Sequence, residues 1–157
     1  MADHAATYIV YMDNTAITTA KTLVQIKAGT GAGLEIISAK VSQLTKTSSE
    51  LLNLQIVRKT AAATVTSFTP LKLDPNDPTA AAVGGTSATG VNASAEGTNG
   101  DILVHEVWNI LNGEWNYLPV PEERIWVPAG GIIALKLNTA PAASMNTIVE
   151  VKFREHQ

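Results

Sequence analysis

Cysteine is absent from the 157 residues, which removes both a disulfide framework and a thiolate metal centre. Charge is scarce as well. Only 16% of residues are charged, against roughly 25% in an ordinary domain. Lys and Arg number 11 against 14 Asp and Glu, for a net charge of -3, so the basic excess of a nucleic-acid binder is missing. No apolar run approaches the roughly 18 residues that a membrane-spanning helix needs. The opening Met1-Ala2-Asp3-His4-Ala5-Ala6-Thr7 sets no cationic segment ahead of an apolar one, so we expect a soluble protein without an export signal and with neither nucleic acid nor membrane as partner. The length suits one domain. A chain of this size buries roughly 70% of its unfolded surface and needs no covalent staple.

Recognisable chemistry is also sparse. The three histidines are His4, His105 and His156, none in a catalytic signature and no two at metal-ligand spacing. His105 and Glu106 are consecutive in a strand-like stretch and therefore point to opposite faces. Gly29-Thr30-Gly31-Ala32-Gly33 resembles a phosphate loop only superficially: Leu34 replaces the next glycine, a strand pattern follows, and Walker spacing and its lysine are missing. It is read as a turn. Asp74, Asn76 and Asp77 carry oxygens suited to calcium but lack the glycine and distal glutamate of an EF-hand, and the flanking prolines favour a turn. Asn92-Ala93-Ser94 matches a glycosylation sequon with no export signal to give it meaning. Glu122-Glu123-Arg124 reads as solvated charge at a strand start. No catalytic residue, metal or cofactor is expected, and the chain is not read as an enzyme.

What is present is an apolar period of two. Ile37, Ala39 and Val41 alternate with Ser38, Lys40 and Ser42; Leu52, Leu54 and Ile56 alternate with Asn53, Gln55 and Val57; Val149, Val151 and Phe153 alternate with Glu150, Lys152 and Arg154. These are half-buried antiparallel strands. Similar stretches run over 8–12, 23–28, 65–69, 102–111, 114–118, 124–127 and 131–138, so about ten strands separated by turn residues point to a sandwich or barrel. Thr47-Ser48-Ser49-Glu50 fits a capping box, but the period-two run and β-branched Ile56 and Val57 that follow argue against a helix. Asn112-Gly113 predicts a type I′ hairpin that pairs Ile110 with Trp115 and Trp108 with Tyr117, gathering these aromatics on one ribbon face. Trp108 is expected in the core. Trp115 and Tyr117 stand between core and exposed platform, and Trp126 lies nearby. From Leu73 to Asp101 the composition turns to Asp, Pro, Ala, Gly, Thr and Ser, read as a surface excursion ordered by a partner.

Thr22-Leu23-Val24-Gln25-Ile26, then Leu54-Gln55-Ile56-Val57-Arg58-Lys59-Thr60-Ala61, then Thr69-Pro70-Leu71-Lys72-Leu73-Asp74-Pro75-Asn76-Asp77-Pro78, and finally Trp126-Val127-Pro128-Ala129-Gly130-Gly131 resemble segments of small tailed-phage virion proteins. These are the jelly-roll decoration, or cement, proteins of icosahedral heads. The resemblance runs from about residue 20 onward. It implies an all-β antiparallel jelly-roll sandwich, commonly trimeric, that binds the major capsid protein on the outside of the virion and stabilises the shell after synthesis in the host cytoplasm. Low charge and many small residues independently suggest a homo-oligomer. The expected organisation is one domain over 1–157, with 1–7 as an N-terminal arm and 74–101 as a long loop. Candidate capsid or subunit contacts are Tyr8, Val10, Tyr11, Asp74, Asn76, Asp77, Trp115 and Tyr117. The alternative is a receptor-binding or carbohydrate-binding jelly roll that uses the hairpin aromatics as a stacking platform.

Overall fold

The last strand shows the plan of the molecule. Over Met145–His156 every second side chain is buried, from Met145 through Thr147, Val149, Val151 and Phe153 to Glu155, so one face of the strand packs and the other is wet. In the computed structural model, residues 5–156 are described. They form β1 (Thr7–Ile17), β2 (Lys21–Lys27), β3 (Gly33–Gln43), β4 (Leu51–Ala61), β5 (Thr64–Ser67) and β6 (Leu71–Lys72). There follow β7 (Gly90–Ala95), β8 (Thr98–Asn109), β9 (Trp115–Tyr117), β10 (Trp126–Val127), β11 (Ile132–Leu137) and β12 (Met145–His156). One 3-10 turn spans Pro121–Glu123, and no α-helix occurs among the described residues, including at the capping-box match.

The strands make two antiparallel sheets. The first runs β6-β1-β12-β3, with β9 and β10 both pairing β3; the second runs β5-β7-β2-β11-β4-β8. Successive strands β1 to β4 cross from sheet to sheet, and the C-terminal pair closes both, β11 between β2 and β4 and β12 between β1 and β3. That is jelly-roll order. Leu23, Ile26, Leu34, Leu52, Leu54, Leu137, Val149 and Phe153 meet between the sheets in one continuous core.

Four expectations change here. Ile37 does not share a face with Ala39, because the β3–β12 register slips at Lys152/Phe153 and pairs Ile36 with Phe153 and Ser38 with Lys152. Ile37 is the extra residue of that bulge, and it is Ile36 that reaches the core. Second, residues 1–7 were expected as an arm. Residues 1–4 lie outside the described part, but Thr7 already pairs with Arg154, and β1 sits between β12 and β6 in its own sheet.

Third, Asn112-Gly113 closes no hairpin. β8 belongs to the second sheet and β9 to the first, so the connection crosses the core instead of folding a ribbon. Trp108, Ile110 and Trp115 are buried between the sheets, and that burial outweighs local turn preference. Asn112 N–H donates to the Asn109 carbonyl at 3.0 Å, and only Gly113 of the dipeptide has positive φ, at 90°, whereas type I′ needs two such residues. Gly113→Val is still expected to cost about 1 kcal/mol, since a β-branched residue resists this φ. No neighbouring atom lies within 4 Å of a Cβ placed there, so urea denaturation should read the backbone effect alone. Unchanged stability would show that the turn relaxes freely.

Fourth, 74–101 is not a free excursion. It contains β7, which pairs with both β2 and β5, and the beginning of β8. Ala80 and Ala82 belong to the core. The composition hid a strand because Gly90-Val91-Asn92-Ala93-Ser94-Ala95 carries one bulky apolar residue, and its place in the sheet comes from its neighbours.

Candidate functional site

The residues expected at an interface separate into three environments. Tyr8 and Val10 are fully buried in the core, and Trp115 is buried with its Nε1 donating to Glu106 Oε2 at 2.6 Å. These three do not offer surface. Tyr11 remains 39% exposed, set edge-on against Phe68 with ring centroids 4.9 Å apart. Tyr117 is half-buried, and its hydroxyl donates to the Glu123 carbonyl at 3.3 Å. Its pKa is raised, first by burial and then by Glu123. Trp115 and Tyr117 are therefore no shared stacking platform.

Asp74, Asn76 and Asp77 form a tight turn: Asp74 Oδ1 accepts the Asn76 N–H at 2.9 Å, and the Asp74 carbonyl accepts the Asp77 N–H at 3.0 Å. Asp77 is buried. Among the described residues no three His, Asp or Glu side chains gather as metal ligands would. The chain beyond this turn is fastened from within. Tyr8 donates its hydroxyl to the Pro78 carbonyl at 3.0 Å, and its pKa is raised by burial and then by the charges of Glu155 and Asp77. The Glu155 carboxylate accepts the N–H groups of Ala81 and Ala82 at 2.9 and 2.8 Å. Gln25 donates to the Ala88 carbonyl at 2.6 Å. The segment is ordered by its own domain.

A second polar cluster ties the β7–β8 connection to the second sheet. Glu96 accepts the Thr22 N–H at 2.6 Å and the Thr22 hydroxyl at 2.9 Å, and its carboxylate lies 3.8 Å from Lys59 Nζ and 3.6 Å from Lys136 Nζ. Lys59 is enclosed and donates to the Glu96 carbonyl and to Asn99 Oδ1. Burial lowers its pKa against the opposing pull of Glu96. A lysine that donates two hydrogen bonds and lies beside a carboxylate acts as a clamp, not as a nucleophile.

Two surface features stand apart from the core. The first is the β8 side. As the edge of the second sheet, β8 is open along nearly its whole length, with Ile102 53%, Leu103 37% and Val107 63% exposed. Between it and the 116–125 segment lies a groove of about 410 Å³, walled by Leu103, Val104, Tyr117, Leu118, Pro119 and Ile125. Glu106 and Glu123 stand at its polar margin. The register of β8 against β4 slips at three places, and such bulges discourage indiscriminate edge pairing.

The second feature lies on the outer face of the first sheet, where Trp126, Glu35 and Arg154 stand opposite one another across β10, β3 and β12. Glu35 Oε1 receives Arg124 Nη1 at 3.3 Å and Arg154 Nη1 at 3.2 Å, with His156 Nε2 3.5 Å away. The Trp126 indole lies over Gly33, where a Cβ would meet its Cζ2 at 2.4 Å, and beside the His156 ring at 5.2 Å.

Comparison with protein-family models, curated proteins and solved structures gave no match. The functional reading therefore rests on these surfaces and on the sequence resemblance. The Trp126 cluster escaped sequence reasoning because its members are scattered over positions 33 to 156 and are joined only by sheet register. Glu155 was detectable: it falls in the buried phase of β12, two residues beyond Phe153.

Proposed function

We propose that the protein is a structural subunit that joins copies of itself through the β8 side and decorates the exterior of an icosahedral phage head, which it stabilises without catalysis. The observation that carries the adhesive part is the open β8 side, with its exposed apolar residues and a groove of mixed lining in which Leu103, Val104, Leu118 and Ile125 stand beside Glu106, Asn116 and Glu123. Leu118 at 77% and Val120 at 55% exposure extend that surface, and a contiguous apolar patch of this kind marks an interaction site. The phage-head part rests on the resemblance of the four segments.

The occupant we assign to the groove is the opposite edge of a second copy. There β6 and the residue after it present Leu71 and Leu73, 48% and 50% exposed, around exposed Lys72. Two leucines fit the apolar walls, and the lysine meets the acidic margin of Glu106 and Glu123. Because β6 and β8 lie at opposite sides of the sandwich, this contact is head-to-tail, and it closes into a ring when the rotation permits. Three copies is the number the resemblance implies. Many subunits, each adding a small preference for the assembled shell, raise its disruption threshold by mass action.

Light scattering at micromolar concentration should give a multiple of 16.6 kDa, and Leu118→Glu should shift the protein to monomer. Lys72→Glu should do the same and be rescued by Glu123→Lys. Added to heads stripped of it, the protein should co-sediment and raise the temperature of capsid disruption, with little loss at moderate salt because a chain of net charge -3 has little long-range attraction to screen. A wild-type monomer defeats the subunit contact. Failure to co-sediment with its own phage's mature heads defeats the decoration reading.

A further inference from the structure

Trp126 differs from the other two tryptophans. Trp108 and Trp115 are buried, and each donates its Nε1 proton, to the Gly113 carbonyl and to Glu106. Trp126 is 48% exposed, and its Nε1 has no hydrogen-bond partner among the described residues. Its position is nevertheless fixed. Arg58 Nη1 holds the Trp126 carbonyl at 2.9 Å, the glycine at 33 lets the indole approach β3, and the His156 ring supports it from the side. A large aromatic surface held in place yet left half in solvent is not explained by packing.

Beside it the charge is unbalanced. Arg124, Arg154 and His156 converge on a single oxygen of Glu35, so two guanidiniums face one carboxylate in a protein of net charge -3. Arg154 remains 37% exposed at its side chain and His156 40%, so both have donor capacity facing solvent. The Nε atoms of Arg124 and Arg154 are buried without a partner among the described residues, so Glu35 does not saturate the cluster.

We propose that this patch binds an acidic sugar, with the pyranose ring stacked on the Trp126 indole and the sugar carboxylate held by Arg154 and His156. The C–H face of a pyranose is apolar and slightly positive, matching the negative face of the indole. A guanidinium fork is the side chain best shaped for a carboxylate. The free Nε1–H is left for a sugar hydroxyl. The proposal goes beyond the decoration reading and does not depend on it, because its site lies on the face of the first sheet and not on the β8 side.

The test follows the three indole N–H signals by NMR while glucuronate, glucose, acetate or inorganic phosphate is added to the wild-type protein. Trp126→Ala assigns the Trp126 signal. Glucuronate is expected to shift that signal alone, with an affinity at least tenfold above that of glucose. Arg154→Gln should weaken glucuronate about tenfold, as expected for loss of one charge-assisted contact, and leave glucose binding unchanged. Gly33→Ala should displace the indole and abolish the response, while the Trp108 and Trp115 signals report an intact core. Equal binding of glucose and glucuronate overturns the role of the cations. Acetate or phosphate competing as well as glucuronate reduces the site to a bare anion contact and overturns the sugar. Glucuronate binding that survives Trp126→Ala, measured by calorimetry, overturns the stacking platform.

Discussion

Glu155→Ala is expected to destabilise the protein by about 3 kcal/mol, read as a lower urea midpoint at unchanged slope. Glu155 is 3% exposed, and its carboxylate accepts two consecutive backbone N–H groups, those of Ala81 and Ala82. Truncation leaves the Ala82 N–H buried without an acceptor and the Ala81 N–H only partly reachable by water. Each buried orphan donor costs about 1–3 kcal/mol. Glu155→Gln keeps one acceptor oxygen but turns an amine toward a donor, so its loss should be intermediate. The effect has a location as well as a size. With the clip gone, Pro78 and the packing of Ala80 and Ala82 hold the start of the segment, while Ala88, Thr86 and Thr89 stay tied to Gln25, Val65, Lys27 and Phe68, so limited proteolysis should cut first within 79–85. A variant as stable and as protease-resistant as wild type would mean that the segment is ordered by its alanines alone.

Lys59→Ala is expected to cost about 3 kcal/mol, and Lys59→Met about 1 kcal/mol. Alanine removes both the charge and the buried stem of the lysine, leaving the Glu96 carbonyl and Asn99 Oδ1 without their donor. Methionine refills the space and removes the need to bury an ammonium. The same pair gives a pH signature. Burial holds the folded-state pKa of Lys59 below its ordinary 10.5, so between that lowered value and 10.5 the unfolded chain binds more protons than the folded one. Stability from this group therefore rises with pH across that window. Tyr8 acts in the opposite sense: its folded pKa is raised above 10.0, so its contribution is intact below pH 10 and falls as the unfolded tyrosine ionises. Subtracting the Lys59→Met stability curve from that of the wild type cancels Tyr8 and should leave the rise due to Lys59. A flat difference would show that Lys59 is no more desolvated folded than unfolded.

Where one strand face packs on the core and the other stays wet, the pattern of residues reads through to the structure: Val149, Val151 and Phe153 are buried, and Glu150, Lys152 and Arg154 between them are not. In β4 it reads through on one face only, because Gln55 and Val57 are buried as well as Leu52, Leu54 and Ile56. The reading failed where a bulge changed the phase, at Ile37, and where local chemistry was read without its surroundings, at Asn112-Gly113. Positive φ at Gly113 was legible; the sheet each flanking strand joins was not, because an Asn-Gly turn serves a hairpin or a crossing equally well. Low bulk concealed β7, whose pairing depends on β2 and β5 being already in place.

Interface candidates fared according to the same division. Tyr8 and Val10 were expected at an interface and 8–12 as a strand; nothing local to that strand says that it is central, and pairing with β12 on one side and β6 on the other buries both residues. Trp126, Arg124, Arg154, His156 and Glu35 carry no local signal of belonging together.

The sequence by itself determined the class of the fold: period-two alternation commits most segments to strands with one apolar face, and two such faces must cover each other. It also determined the lack of disulfide staples and of a net basic charge. The tertiary structure alone decided which strands are neighbours, that 74–89 is pinned by Glu155 and Tyr8, that Trp115 is interior, and that Trp126 stands in the open among cations. The reason is range. A residue's alternation is written in its immediate neighbours, whereas register, sheet membership and the meeting of charges from positions 35, 124, 154 and 156 depend on pairings between distant strands that form only as the chain closes on itself.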